Sequence, residues 1–192
     1  MRKLLSFFFA LAVTVGVSVS AFGGSSPLLG VWRGSSGGTC TPAYVTGDRT
    51  ASITVTGSSG INGAIAAGVL GNYVNGDFST NSSGSIVIAI AAGGAAGEWI
   101  NFDFGTAKLV TEAKYYSQIS ATQGNWKWQG SPDNVSWTDI GVSFGLGTVA
   151  TQTQTQLNGN VTSYRYYRLL GDTGSSMDGG IWQEEIEFKQ CP

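Results

Sequence analysis

Several stretches of this chain alternate apolar and polar residues with a period of two, the spacing of half-buried strands. Over residues 98–105, Ile100, Phe102 and Phe104 alternate with Trp99, Asn101 and Asp103. Over 126–140, two aromatic-rich segments flank Ser131-Pro132-Asp133-Asn134. Proline presets the φ of a turn, and Asp and Asn side chains bond nearby amides, so this stretch predicts a hairpin. Trp126 and Trp128 are separated only by Lys127, which sends both indoles to one face, as one wall of a sandwich core. Further strands are predicted over 50–56, with Ile53 and Val55 on one face, and over 109–119, 164–170 and 181–190. The apolar run at 86–90 fits a strand buried on both sides. The alternating Thr and Gln of 150–157 fit an edge or half-exposed strand. Residues 61–70 read as a short helix or an apolar loop, their glycines favouring neither. Eight or nine strands with no convincing helix predict an all-β antiparallel sandwich or barrel.

Composition agrees. The chain of 192 residues contains 29 glycines and only 11% charged residues, and Ser, Thr and Asn abound while Glu, Lys and Met are scarce. The absence of histidine excludes Ser-His-Asp triads, Cys-His dyads and His-bearing zinc sites.

The N-terminus has three parts: Met1-Arg2-Lys3, an apolar run from Leu4 to about Val19, and the small residues Ser20 and Ala21. That is the plan of a secretory leader over 1–21; an uncleaved membrane anchor is the alternative. A Gly/Ser-rich arm over 22–39 then leads into a single domain over 40–192. The formal charge of −2 becomes more negative once Arg2 and Lys3 leave with the leader. An acidic chain without a basic patch is not built for nucleic acid. The two cysteines, Cys40 and Cys191, lie at the ends of the domain. In an exported chain they read as a disulfide, against the alternative of two free buried thiols.

Five segments, in order, carry a family resemblance. They are Asn75-Gly76-Asp77, the Glu-Trp-Ile-Asn-Phe-Asp-Phe-Gly of 98–105, residues 128–137, the Tyr-Arg-Tyr-Tyr-Arg-Leu of 164–169, and Glu-Ile-Glu-Phe at 185–188. Together they resemble a discoidin domain, also called the coagulation factor 5/8 type C domain, of the galactose-binding-like superfamily. The resemblance spans about 40–191 and includes cysteines at the domain ends. It implies an eight-stranded antiparallel jelly roll whose loops at one end bind ligands. The second half is also similar to discoidin modules encoded in phage and bacterial genomes, which implies a surface-binding part of a larger structure.

Sugar-binding relatives often hold a structural calcium. Carried over, its ligands are Asn75, Asp77, Ser79 or Thr80, and Glu185; the alternative is an ordinary polar turn beside an exposed glutamate. Asp103 is a candidate catalytic carboxylate or, alternatively, an acceptor for turn amides. Glu184, Glu185 and Glu187 imply no deep pocket, so catalysis is not expected. Arg165 and Arg168 are expected in an ion pair or stacked on tyrosine. The alignment makes Trp99 and Trp137 core residues. Binding loops are expected over 57–73, 79–97 and 119–125, with Tyr73, Asn125 and Trp126 at the rim of a shallow surface and Trp182 joining them. The whole predicts a secreted, non-catalytic adhesion module recognising a glycan or another cell-surface component. The alternative is a structural protein of a virion or surface assembly that uses the fold for protein–protein packing. In either case the membrane is reached only through an uncleaved leader.

Overall fold

The computed structural model describes residues 40–58, 67–78, 96–117, 124–147, 149–173 and 183–191. The expected leader and arm, the strand expected at 86–90, Ser79, Thr80 and Trp182 lie outside them. Nine strands are described: β1 (Ala43–Val45), β2 (Thr54–Gly57), β3 (Trp99–Lys108), β4 (Val110–Ser117), β5 (Asn125–Ser131), β6 (Thr138–Gly145), β7 (Thr151–Gln154), β8 (Tyr164–Thr173) and β9 (Gln183–Gln190). A four-stranded sheet runs β1-β9-β4-β7 and a five-stranded sheet runs β2-β3-β8-β5-β6. The pairings within them are antiparallel. The expected jelly-roll sandwich is what forms.

The alternation decides which side chains meet. Ile100, Phe102 and Phe104 of β3, Trp128 of β5, and Tyr167 and Leu169 of β8 point inward from one sheet. Ala113 and Tyr115 of β4, with Ile186 and Phe188 of β9, answer from the other. Phe188 is the hub, its ring centroid lying 4.9 Å from Phe102, 5.2 Å from Phe104 and 5.9 Å from Trp128, all edge-on. Each such ring contributes about 1.5–3 kcal/mol through burial alone.

The ends of the domain meet through Cys40 and Cys191, which are disulfide-bonded. The bond sits beside the pairing of Ala43 with Gln190, so it staples the short edge strand β1 to β9. Three residues cannot hold an edge by ladder bonds alone, and β1 left no pattern in the sequence to find. The strand predicted at 50–56 starts later, because Ser52 and Ile53 amides both turn back to the Arg49 carbonyl at 2.9 Å. Within 61–70, residues 67–70 belong to a 3₁₀ helix, Ala67–Val74.

The Thr/Gln strand is an edge, as expected, but it stops at Gln154 and gives way to a 3₁₀ turn, Thr155–Leu157. Gln154 is buried, so strict alternation would bury Gln156 next and expose Leu157. The turn instead delivers Leu157 fully into the core.

Candidate functional site

The outer face of the five-stranded sheet carries an ordered row of polar side chains. Register places Asn101 of β3 opposite Arg168 of β8, Arg168 opposite Gln129 of β5, and Gln129 opposite Asp139 of β6. Arg168 Nε donates to Gln129 Oε1 at 2.6 Å, and Gln129 Nε2 donates in turn to Asp139 Oδ1. Lys127 Nζ reaches Asp139 Oδ2 at 3.0 Å. Bonds from Gln129 and Lys127 hold the Asp139 carboxyl below its usual range. Arg168 is pulled down by desolvation, against the attraction of Asp139. Its guanidinium lies 4.1 Å from the centre of the Trp137 ring.

The β5–β6 turn closes one side of this row. Ser131 Oγ accepts from the Asn134 amide at 2.9 Å, and Asp133 Oδ1 accepts from Val135 and Ser136 amides at 2.9 and 2.8 Å. Asn134 takes a left-handed φ of 62°, which Asn tolerates better than most residues. Its Oδ1 accepts from Asn101 Nδ2 at 2.8 Å. A cleft of about 160 Å³ results, lined by Trp99, Asn101, Asn134, Trp137 and Arg168. Both indoles are half-buried, while Asn101 is nearly enclosed and its Oδ1 has no partner among the described residues. Two aromatic walls and a guanidinium therefore share one small space, above an enclosed acceptor that has no partner among the described residues. A wider groove of about 330 Å³ between β6 and residues 158–162 has no tryptophan.

This arrangement corrects the expectation that Trp99 and Trp137 are core residues. The signal for Trp99 was present, since it shares a face with Asn101 and Asp103. Arg168 stacks on tryptophan rather than tyrosine. Arg165 behaves as expected, pairing with Asp103 through two 2.8 Å contacts and lying 4.9 Å from the Tyr166 ring. Asp103 also accepts from the Gly105 amide at 2.8 Å, which is a turn acceptor's role.

Two of the predicted rim residues do not reach a rim. Tyr73 and Trp126 are both fully buried, so neither offers a face to solvent. Trp126 shares the inward face with Trp128 because of the alternation itself, and glycines nearby in sequence do not open that face. Tyr73 ends a 3₁₀ helix packed on the core, its ring 5.8 Å from Phe102; burial drives its hydroxyl pKa well up. Asn125 is exposed, as expected, and its Nδ2 donates to Thr173 Oγ1 at 3.0 Å.

The calcium ligand set is only partly assembled. Glu185 does meet the 75–77 turn, accepting from the Gly76 amide through Oε2 at 2.9 Å. Its Oε1, however, is ion-paired with Arg49, and both side chains are buried. Glu185 is thus not the exposed residue of the alternative reading, and its charge is already neutralised. Asn75 Oδ1 accepts from the Asp77 amide at 2.8 Å, closing an ordinary Asx turn. Among the described residues no group of three or more His, Cys, Asp or Glu is placed to hold a metal. The described part of the donor set, with Glu185 held by Arg49 and Asn75 by the Asp77 amide, does not fit a calcium ion.

No protein-family model matches the chain, and no curated protein matches it. Solved structures do. The carbohydrate-binding module of family 32 (CBM32) of AlyQ, in complex with 4,5-unsaturated mannuronic acid, is 22% identical with a TM-score of 0.50, covering 70% of this chain and 92% of that one. The GH31 module CBM32-2 bound to GalNAc is 19% identical with a TM-score of 0.51, covering 71% and 96%. The family 32 module of C. perfringens NanJ, in complex with galactose, is 11% identical with a TM-score of 0.51, covering 74% and 97%. The chain has the fold of these modules, the galactose-binding-like jelly roll of F5/8 type C domains.

Proposed function

We propose that this protein is an exported, non-catalytic glycan-binding module that seats a sugar in the Trp99–Trp137 cleft. The observation that carries this reading is the pair of half-buried indoles, Trp99 and Trp137, lining one cleft with the Arg168 guanidinium. Indole faces stack on the C–H face of a pyranose, while convergent polar groups orient its hydroxyls. Arg168, fixed by Gln129 and Trp137, presents the rest of its guanidinium as a donor. The fold is shared with modules whose structures contain mannuronic acid, GalNAc and galactose, which favours a sugar over other ligands.

Three glutamates are buried among the described residues. Glu184 keeps one oxygen without a partner there, its carboxyl pKa raised by burial and by Asp77. The engagement of the other two supports a non-catalytic role. Glu185 is paired with Arg49, and Glu187 accepts from the Tyr116 hydroxyl at 2.9 Å. Neither is free for the paired acid and base work of glycoside hydrolysis. The disulfide supports export.

The test is calorimetric titration of the purified protein with a panel of neutral and acidic oligosaccharides. A ligand found there should lose about tenfold in affinity to Trp137→Ala, in a variant shown folded by circular dichroism. If that variant binds normally while Asn125→Ala with Trp182→Ala does not, the site lies at the loop end instead. Failure of every glycan to bind would overturn the functional reading.

A further inference from the structure

Arg49 lies between β1 and β2 and is 3% exposed, a deep position for a guanidinium. Three oxygens converge on it: Glu185 Oε1 on Nη2, the Val45 carbonyl on Nη1 at 2.9 Å, and the Val74 carbonyl on Nε at 3.4 Å. The Arg49 amide also donates to the Val74 carbonyl at 2.8 Å. One carboxylate plus two main-chain carbonyls from separate segments is the kind of hard-oxygen set that calcium collects. Here a side chain of the protein's own occupies its centre.

We propose that Arg49 is an internal replacement for a bound cation, tying the 45–49 segment, the end of the 3₁₀ helix and β9 together so that the fold needs no calcium. The charge balance supports this. Arg49 brings one positive charge into a buried place, paired directly with Glu185 and attracted by Glu187 and Asp48. A divalent ion beside that guanidinium would leave like charges together out of water. The packing supports it too. Gly76 has a φ of +78°, and a Cβ there would stand 2.5 Å from the Gly47 carbonyl carbon. The 45–49 segment and the 76 turn therefore already touch, closed around the arginine rather than held apart by an ion and its waters. Arg49 and Glu185 are 136 residues apart, so the pair also links distant parts of the chain.

The inference is independent of any sugar and is tested by thermal melting. Wild-type protein should melt at the same temperature in chelator and in excess calcium, since a ligand bound to the folded state would raise the midpoint. Arg49→Ala leaves an unpaired buried carboxylate and should melt lower by roughly 10 °C. Calcium should then restore part of the loss, entering the space bounded by Glu185 and the two carbonyls. Arg49→Met, which keeps the apolar stem, serves the same comparison if the alanine variant does not fold. A wild-type midpoint that rises with calcium, or a folded Arg49 variant that calcium leaves unmoved, would overturn the proposal.

Discussion

Trp128 Nε1 donates to Gln154 Oε1 at 3.0 Å, joining a central strand of one sheet to the edge strand of the other through two fully buried side chains. A buried indole N–H needs such a partner, because losing it leaves the donor with neither protein nor water. Gln154→Ala should cost about 1–3 kcal/mol of unfolding free energy. In a double-mutant cycle with Trp128→Phe, the second substitution should cost less in the first one's background. Equal costs in both backgrounds, read from denaturant midpoints, would show that the bond carries no coupling.

The disulfide closes a loop of 151 residues. In the chain-entropy account that constrains the unfolded state by about 5 kcal/mol. Cys40→Ser with Cys191→Ser should therefore lower the denaturant midpoint by more than any single surface change, and reductant should do the same to the wild type. The edge strand β1 should be the first to lose amide exchange protection, since its pairing with β9 lies beside the bond.

Gly141 has a φ of +71°, and a Cβ there would come 2.3 Å from the Gln156 carbonyl oxygen. Backbone strain and a main-chain clash add, so Gly141→Ala should destabilise by at least about 1–3 kcal/mol. A melting temperature equal to wild type would mean that β6 shifts freely against the 155–157 turn.

Two phenols set an alkaline limit. Burial and a bond to Glu187 push the Tyr116 hydroxyl up to about 12. Burial and a 2.5 Å bond to Glu112 push Tyr44 up as well. A raised folded-state pKa means stability that is complete below the unfolded value of about 10 and is lost as pH rises through the folded one. Melting temperatures should fall across that window, and Tyr116→Phe should flatten part of the fall. On the acid side the sign reverses. Arg165 lowers Asp103, turn amides lower Asp133, and Gln129 with Lys127 lower Asp139. Their contribution is present above the unfolded carboxyl value of about 4 and fades as pH falls.

Much of the architecture is legible in the sequence. Alternation alone placed Ile53, Val55, Ile100, Phe102 and Phe104 on buried faces, and two cysteines at the ends of the domain, read as exported, implied one bridge. These are local or compositional facts: a strand's faces follow from a period of two, whatever lies across from them. Which face of a strand becomes core, and which open cleft, depends on the partner sheet. Trp126 and Trp99 both sit near glycines, yet one is enclosed beneath the opposite sheet and the other lines the outer row with Asn101 and Arg168. Glu185 is a metal ligand only by resemblance to sugar-binding relatives, and its charge needs a counter-charge. Arg49 meets that charge from 136 residues away. No spacing in the sequence encodes that meeting; it arises only when β9, the 3₁₀ helix and the segment before β2 pack together.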